Sequence, residues 1–164
     1  MSKLLATWFY VGLMPFAPGT WGSAAALPFA VLLHAVGGFP VLFIATLAVF
    51  FIGWWATAEV TRGQADHDPG MVVIDEVAGQ WITLMPLSFV LWIHASTVTI
   101  LPWPGLVGGF LLFRFFDILK PWPVSWADKK STPFGVMFDD VLAGIFAAIV
   151  LMIVGYVAHQ GFRG

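Results

Sequence analysis

Cysteine is absent from these 164 residues, which excludes disulfides, cysteine-ligated zinc and thiol-nucleophile chemistry. Charge is scarce: Asp, Glu, Lys and Arg make up 10% of the chain, against about 25% in a typical soluble domain. The formal net charge is −2, so there is no basic surface with which to bind nucleic acid. With 60% hydrophobic residues, disorder is excluded as well, because it requires low hydrophobicity and high charge. What remains, at a mean hydropathy of +0.91, is the composition of an integral membrane protein. Its length suits a single domain over 1–164.

The sixteen formal charges are concentrated. Lys3 and Arg163 mark the ends, six charges lie between Glu59 and Glu76, and eight lie between Arg114 and Asp140. The charge-free blocks 4–58, 77–113 and 141–162 are left. A membrane crossing needs about 20 apolar residues, with about 17 workable. Block 4–58 can therefore cross out and back. Block 77–113 crosses twice only as two short helices turning near Pro102-Trp103-Pro104, and block 141–162 crosses once. Both charged segments then fall on one face. Arg62, Arg114, Lys120, Lys129 and Lys130 make that face cytoplasmic by the positive-inside rule.

The expected architecture is an all-α, polytopic membrane helix bundle of about five spanning helices. A short N-terminal interfacial or re-entrant helix over 3–14 precedes them. Lys3, the apolar run Leu4–Met14 and Ala24-Ala25-Ala26 imitate a signal peptide, but Pro15 and Pro18 break the run. A Pro-Gly-Thr loop over 15–21 follows. Helices are expected over 22–37, 40–62, 74–95, 104–120 and 136–159 from periodicity, breakers and caps, with Pro28 and Pro86 as internal kinks. The nine tryptophans suit the headgroup zones.

Two segments resemble each other. Asp75-Glu76 and Asp139-Asp140 each open a long apolar helix, and each pair has a glycine four residues after one of its acids: Gly79 after Asp75, Gly144 after Asp140. A spacing of four keeps acid and glycine on one face. Small residues let membrane helices approach closely. The two helices are thus expected to pack with their acidic ends together. Four converging carboxylates repel unless neutralised, and a hard divalent cation such as Mg²⁺ is the economical partner. Zinc fits poorly without cysteine or a close histidine pair. The competing reading is that acids simply favour helix N-termini. Two double-acid pairs among nine acids in all weigh against it, because acids beside hydrocarbon are costly.

Arg114, Asp117 and Lys120 follow at intervals of three, before Pro121 and Pro123 stop the helix. Arg offers a planar fork to phosphate and Lys a point charge. Asp117 either orients Arg114 or completes a metal shell. Against this, cations near helix ends also snorkel to headgroups. Lys129 and Lys130 suit anionic lipid heads. The loop Pro18-Gly19-Thr20-Trp21-Gly22-Ser23 is either a phosphate cradle, with Thr20 or Ser23 as donors, or an ordinary helix cap. His67, in the polar loop before Asp75, is a general acid–base candidate or an exposed loop histidine. His34, His94 and His159 lie far from the acids and receive no role.

Phosphoryl chemistry on a lipid follows from acids, fixed cations and membrane embedding. The Asp-x-Asp-x-Thr of aspartyl-phosphate enzymes is missing, as are the Lys/Arg/His set of histidine-nucleophile lipid phosphatases and the spaced four-aspartate signature of CDP-alcohol phosphotransferases. What is present resembles the phosphatidylglycerophosphatase A family. The matching stretches are Pro18-Gly19-Thr20 with Gly22-Ser23, His67-Asp68, Asp75-Glu76 with Gly79, Phe113-Arg114 through Asp117 to Lys120-Pro121-Trp122-Pro123, and Gly135 through Asp139-Asp140 to Ala143-Gly144. They occur in family order over about 14–145. One departure is Thr132-Pro133-Phe134-Gly135, which keeps a single glycine where the family has more.

The resemblance implies a magnesium-dependent phosphatase that converts phosphatidylglycerophosphate to phosphatidylglycerol at the cytoplasmic face of a bacterial inner membrane. In this reading Asp75, Glu76, Asp139 and Asp140 hold Mg²⁺ against the phosphate while water attacks. Arg114 and Lys120 neutralise the dianion, with Thr20 and Ser23 as further donors. A carboxylate, Asp117 among them, or His67 handles the proton. The acyl chains stay among the membrane lipids. Two rival readings are a small ion or lipid transporter using the acids as a cation relay, and a Mg-dependent headgroup phosphotransferase. Relay acids normally sit mid-span, whereas these border polar segments.

Overall fold

In the computed structural model, residues 1–63, 69–94, 100–130 and 132–161 are described. The chain is all-helical, with no strand among the described residues. In order come α1 (Ser2–Ala6), a 3₁₀ turn (Val11–Leu13), α2 (Pro18–Val60), α3 (Ile74–His94), α4 (Trp103–Leu119), α5 (Val124–Asp128) and α6 (Pro133–Gly161).

The 43 residues of α2 are a hairpin. Helical geometry fails at Gly37 (φ −160°, ψ 20°) and Gly38 (φ 66°, ψ −153°), and only glycine takes the latter conformation readily. A Cβ on Gly22 would lie 2.7 Å from Val73 Cβ at the head of α3, and one on Gly38 would lie 2.5 Å from Trp92 near its tail. A Cβ on Gly53, in the second limb, would lie 3.1 Å from Ile74, back at the head. The two limbs, 18–36 and 39–60, therefore run down and up alongside α3, as expected for block 4–58. Pro40 falls in the first turn of the second limb, where its missing N–H costs nothing.

Three helices are long and apolar enough to cross a membrane: α2, α3 and the Pro133–Ala158 part of α6. With 17 residues, α4 is shorter. Large apolar side chains such as Leu32, Ile44, Phe51 and Leu111 point outward, as a lipid solvent permits. Polar links tie the first limb to α3: Trp81 Nε1 donates to Ala26 O at 2.9 Å, and His34 Nδ1 and Ser88 Oγ lie 2.8 Å apart, both buried. His34 thus belongs to the packing between helices.

The N-terminal segment departs from the expected helix over 3–14. Helix α1 ends at Ala6, and Trp8, Phe9 and Tyr10 then adopt positive φ of 44°, 57° and 71°. Thr7 Oγ1 donates to Lys3 O and accepts from Tyr10 N–H, which turns the chain. Ala6 O accepts from Val73 N–H at 2.9 Å, and a side chain at Gly12 would strike Met71 O. The segment is therefore bent back against the chain entering α3.

Candidate active site

Four helix ends meet at the head of α3. Asp75-Glu76 begins α3, the Arg114–Lys120 stretch ends α4, and Pro18-Gly19 starts α2, whereas Asp139-Asp140 sits in the second turn of α6 rather than opening it, because that helix already starts at Pro133. They surround a cleft of about 360 Å³ lined by Ala17, Pro18, Gly19, Gly70, Val72, Asp75, Glu76, Arg114, Asp117, Ile118, Lys120, Asp139 and Asp140.

Oxygen atoms from Asp75, Glu76 and Asp140 lie within 4.8 Å of one another. The backbone repeats the sequence similarity: Glu76 N–H donates to Asp75 Oδ1 at 3.1 Å, and Asp140 N–H donates to Asp139 Oδ1 at 3.0 Å. Glu76 Oε2 and Asp140 Oδ2 are buried with no hydrogen-bond partner among the described residues. Carboxylates buried without compensation are costly by several kcal/mol each. A hard cation with oxygen ligands fits this donor set, and the cluster can hold a metal ion.

The fourth acid takes a different partner. Asp139 Oδ2 accepts from Lys120 Nζ at 2.8 Å, and Lys120 also bonds Asp128 Oδ1. Lys120 reaches both because it caps α4 in the left-handed conformation (φ 43°, ψ 58°), which ends the helix and turns the chain toward α5. Burial opposes the Lys120 charge, but the bonds to Asp128 and Asp139 outweigh it and lift its pKa above the ordinary lysine value. Asp128 was not singled out from sequence. Its signal was slight: an acid eight residues past Lys120, across the Pro121–Pro123 turn.

Arg114 is gripped from several sides. Its Nη1 lies 2.5 Å from Asp117 Oδ2, 3.4 Å from Ser23 Oγ and 3.9 Å from Glu76 Oε1. The approach of α2 depends on Gly19, where a side chain would collide with Glu76 Oε1.

The Pro-Gly-Thr stretch is helix rather than loop. Pro18 is the first residue of α2, after Ala17 in the left-handed conformation (φ 47°, ψ 54°). The N–H groups of Thr20 and Trp21 are donated to Ala17 O, and Ser23 Oγ donates to Gly19 O at 2.9 Å. Thr20 and Ser23 are not among the described residues lining the cleft; the Pro18-Gly19 turn is. His67 lies outside the described residues. Lys130 Nζ stands 3.7 Å over the Trp126 ring, a cation–π contact at the rim.

Known proteins are similar to this chain in sequence. The phosphatidylglycerophosphatase A family matches residues 4–155. A phosphatidylglycerophosphatase A of Haemophilus influenzae is 39% identical over 154 residues, covering 93% of this chain and 88% of that protein. The Escherichia coli protein of the same name is 35% identical, covering 93% and 83%. A putative phosphatidylinositol-3-phosphatase of Bacteroides thetaiotaomicron is 34% identical over 168 residues, covering 96% and 95%. No solved structure matches. The family match runs through all four helix ends that form the cleft, and the chain belongs to the phosphatidylglycerophosphatase A family.

Proposed function

We propose that this protein is a lipid phosphatase that hydrolyses phosphatidylglycerophosphate to phosphatidylglycerol and inorganic phosphate. The observation that carries the reading is the joining of Asp75, Glu76 and Asp140 in one cleft with Arg114 and Lys120, in a chain of this family. A phosphate dianion needs cations to receive it, and the buried acids need a cation of their own.

Asp75, Glu76 and Asp140 would hold Mg²⁺. When bound, the ion supplies Lewis-acid stabilisation of the charge on the transferring phosphoryl group. Arg114 and Lys120 neutralise the phosphate oxygens. Asp117 and Ser23 fix the Arg114 guanidinium, and Asp128 and Asp139 fix the Lys120 ammonium. Water adds to phosphorus, the bond from phosphorus to the glycerol oxygen breaks, and that oxygen takes up a proton. A cleft carboxylate or His67 moves this proton. The glycerol backbone and acyl chains remain in the bilayer, on the cytoplasmic side by the distribution of Lys and Arg.

The test is phosphate release from phosphatidylglycerophosphate by purified protein, with and without Mg²⁺. Release that depends on the metal is expected. No release with any divalent ion would overturn the enzyme reading. Phosphatidylinositol 3-phosphate in parallel separates this substrate from the one named for the Bacteroides relative.

A further inference from the structure

One buried polar side chain is left over by the proposed chemistry. Gln80 is fully buried, and both atoms of its carboxamide lack a hydrogen-bond partner among the described residues. A buried amide without partners costs about 1–3 kcal/mol, and an apolar side chain would fill the space without that cost.

The register of α3 says what Gln80 faces. Residues four apart share a helix face, so Glu76, Gln80 and Leu84 form one row. Both ends of the row touch α4: Glu76 lies 3.9 Å from Arg114, and Leu84 Cδ2 would stand 2.8 Å from a Cβ on Gly109. Gln80 therefore faces α4 between Gly109 and Arg114, one turn beneath the cleft.

Two further buried atoms without partners among the described residues flank it, Glu76 Oε2 in this row and Arg114 Nε on the facing α4. The four atoms complement one another: Arg114 Nε–H and Gln80 Nε2–H₂ are donors, while Gln80 Oε1 and Glu76 Oε2 are acceptors.

We infer that Gln80 is a positioning residue that ties Arg114 to Glu76. Its Oε1 accepts from Arg114 Nε, and its Nε2 donates to Glu76 Oε2, each across one buried water. The pairing holds the guanidinium plane toward the phosphate and fixes the rotamer of Glu76, which would otherwise swing toward Arg114. Asp117 and Ser23 act on Nη1 alone, so Gln80 supplies the second anchor that sets the plane. The inference rests on the phosphatase reading for its catalytic consequence, but not for the network itself.

The experiment is a stability cycle with kinetics. Gln80→Met keeps the volume and removes both bonds. It should lower Tm by on the order of 4 °C in the wild-type background. In Arg114→Lys, which has no Nε, it should lower Tm by less than half as much. Should Arg114→Lys fail to fold, Glu76→Leu closes the same cycle from the other end. In Gln80→Met, kcat should fall about tenfold, with KM changed less than about threefold, as for loss of a supporting contact. Equal Tm losses in both backgrounds, or a Tm that does not fall, would overturn the network. A coupled Tm loss with unchanged kcat would overturn the positioning role. Wild-type protein that releases no phosphate refutes the proposed function instead, while the Tm cycle still decides the network.

Discussion

Gly79 of α3 and Gly144 of α6 meet backbone to backbone: a Cβ on Gly144 would stand 2.5 Å from Gly79 O. A Cβ on Gly79 would in turn stand 2.7 Å from Asp140 O. Thr83 Oγ1 reaches across the same crossing to Gly144 O at 3.3 Å. The glycines set how near the two acid pairs come. Gly144→Val should therefore separate them. We expect a loss of about 1–3 kcal/mol from overpacking and at least a tenfold loss of turnover, read by thermal unfolding in detergent and phosphate release. Unchanged values for both would mean that close packing here does not gather the acids.

Asp140→Asn should separate chemistry from folding. The substitution removes a buried charge whose Oδ2 has no partner among the described residues, so Tm should hold or rise. Turnover should fall at least about 100-fold. Turnover like the wild type's would remove Asp140 from the site.

Much of this arrangement could be read from residue spacing. Gly37-Gly38 separates the two limbs within a residue or two of the expected boundaries, because paired glycines break an apolar helix whatever surrounds them. The Asp-to-Gly spacing of four foretold the α3–α6 crossing, since it depends on local helix geometry alone. Other features needed the tertiary structure. Nothing in Trp8-Phe9-Tyr10 signals left-handed backbone, because none of the three is Gly or Asn and the bend is held by Thr7. The pairing of Asp139 with Lys120, rather than with the other three acids, depends on how the Lys120 cap turns. Gln80 was not singled out from sequence, because a lone amide one turn past Glu76 carries no signal of its own. Its relation to Arg114 required the register of α4.

Lys120→Met should cost about 10–100-fold in kcat/KM, as expected for a lost charge-stabilising contact. Its pH behaviour follows from the raised pKa. A lysine whose folded pKa exceeds the unfolded value, near 10.4, contributes stability fully below that value. The contribution disappears only as pH rises through the folded pKa. The Tm difference between wild type and Lys120→Met should therefore not shrink as pH rises from about 6 to 9. A difference that shrinks as pH rises within that window would contradict the raised pKa.

The lack of cysteine makes orientation simple to measure. Trp103, 75% exposed at the start of α4, and Lys130, exposed beside the cleft rim, mark the two ends of the bundle. In intact bacterial cells a membrane-impermeant maleimide should label Trp103→Cys directly, and Lys130→Cys only after permeabilisation. The reverse pattern would put the cleft outside.

The turn at Gly37-Gly38 has a consequence for lipid traffic. Two glycines close the far end of the α2 hairpin, while every charged group of the cleft sits at the opposite end. No ionisable ladder connects the two ends along α2, so a headgroup has no stepping stones across. In the proposed reaction substrate and product would then share one leaflet, and the phosphate would return to the compartment the headgroup faced.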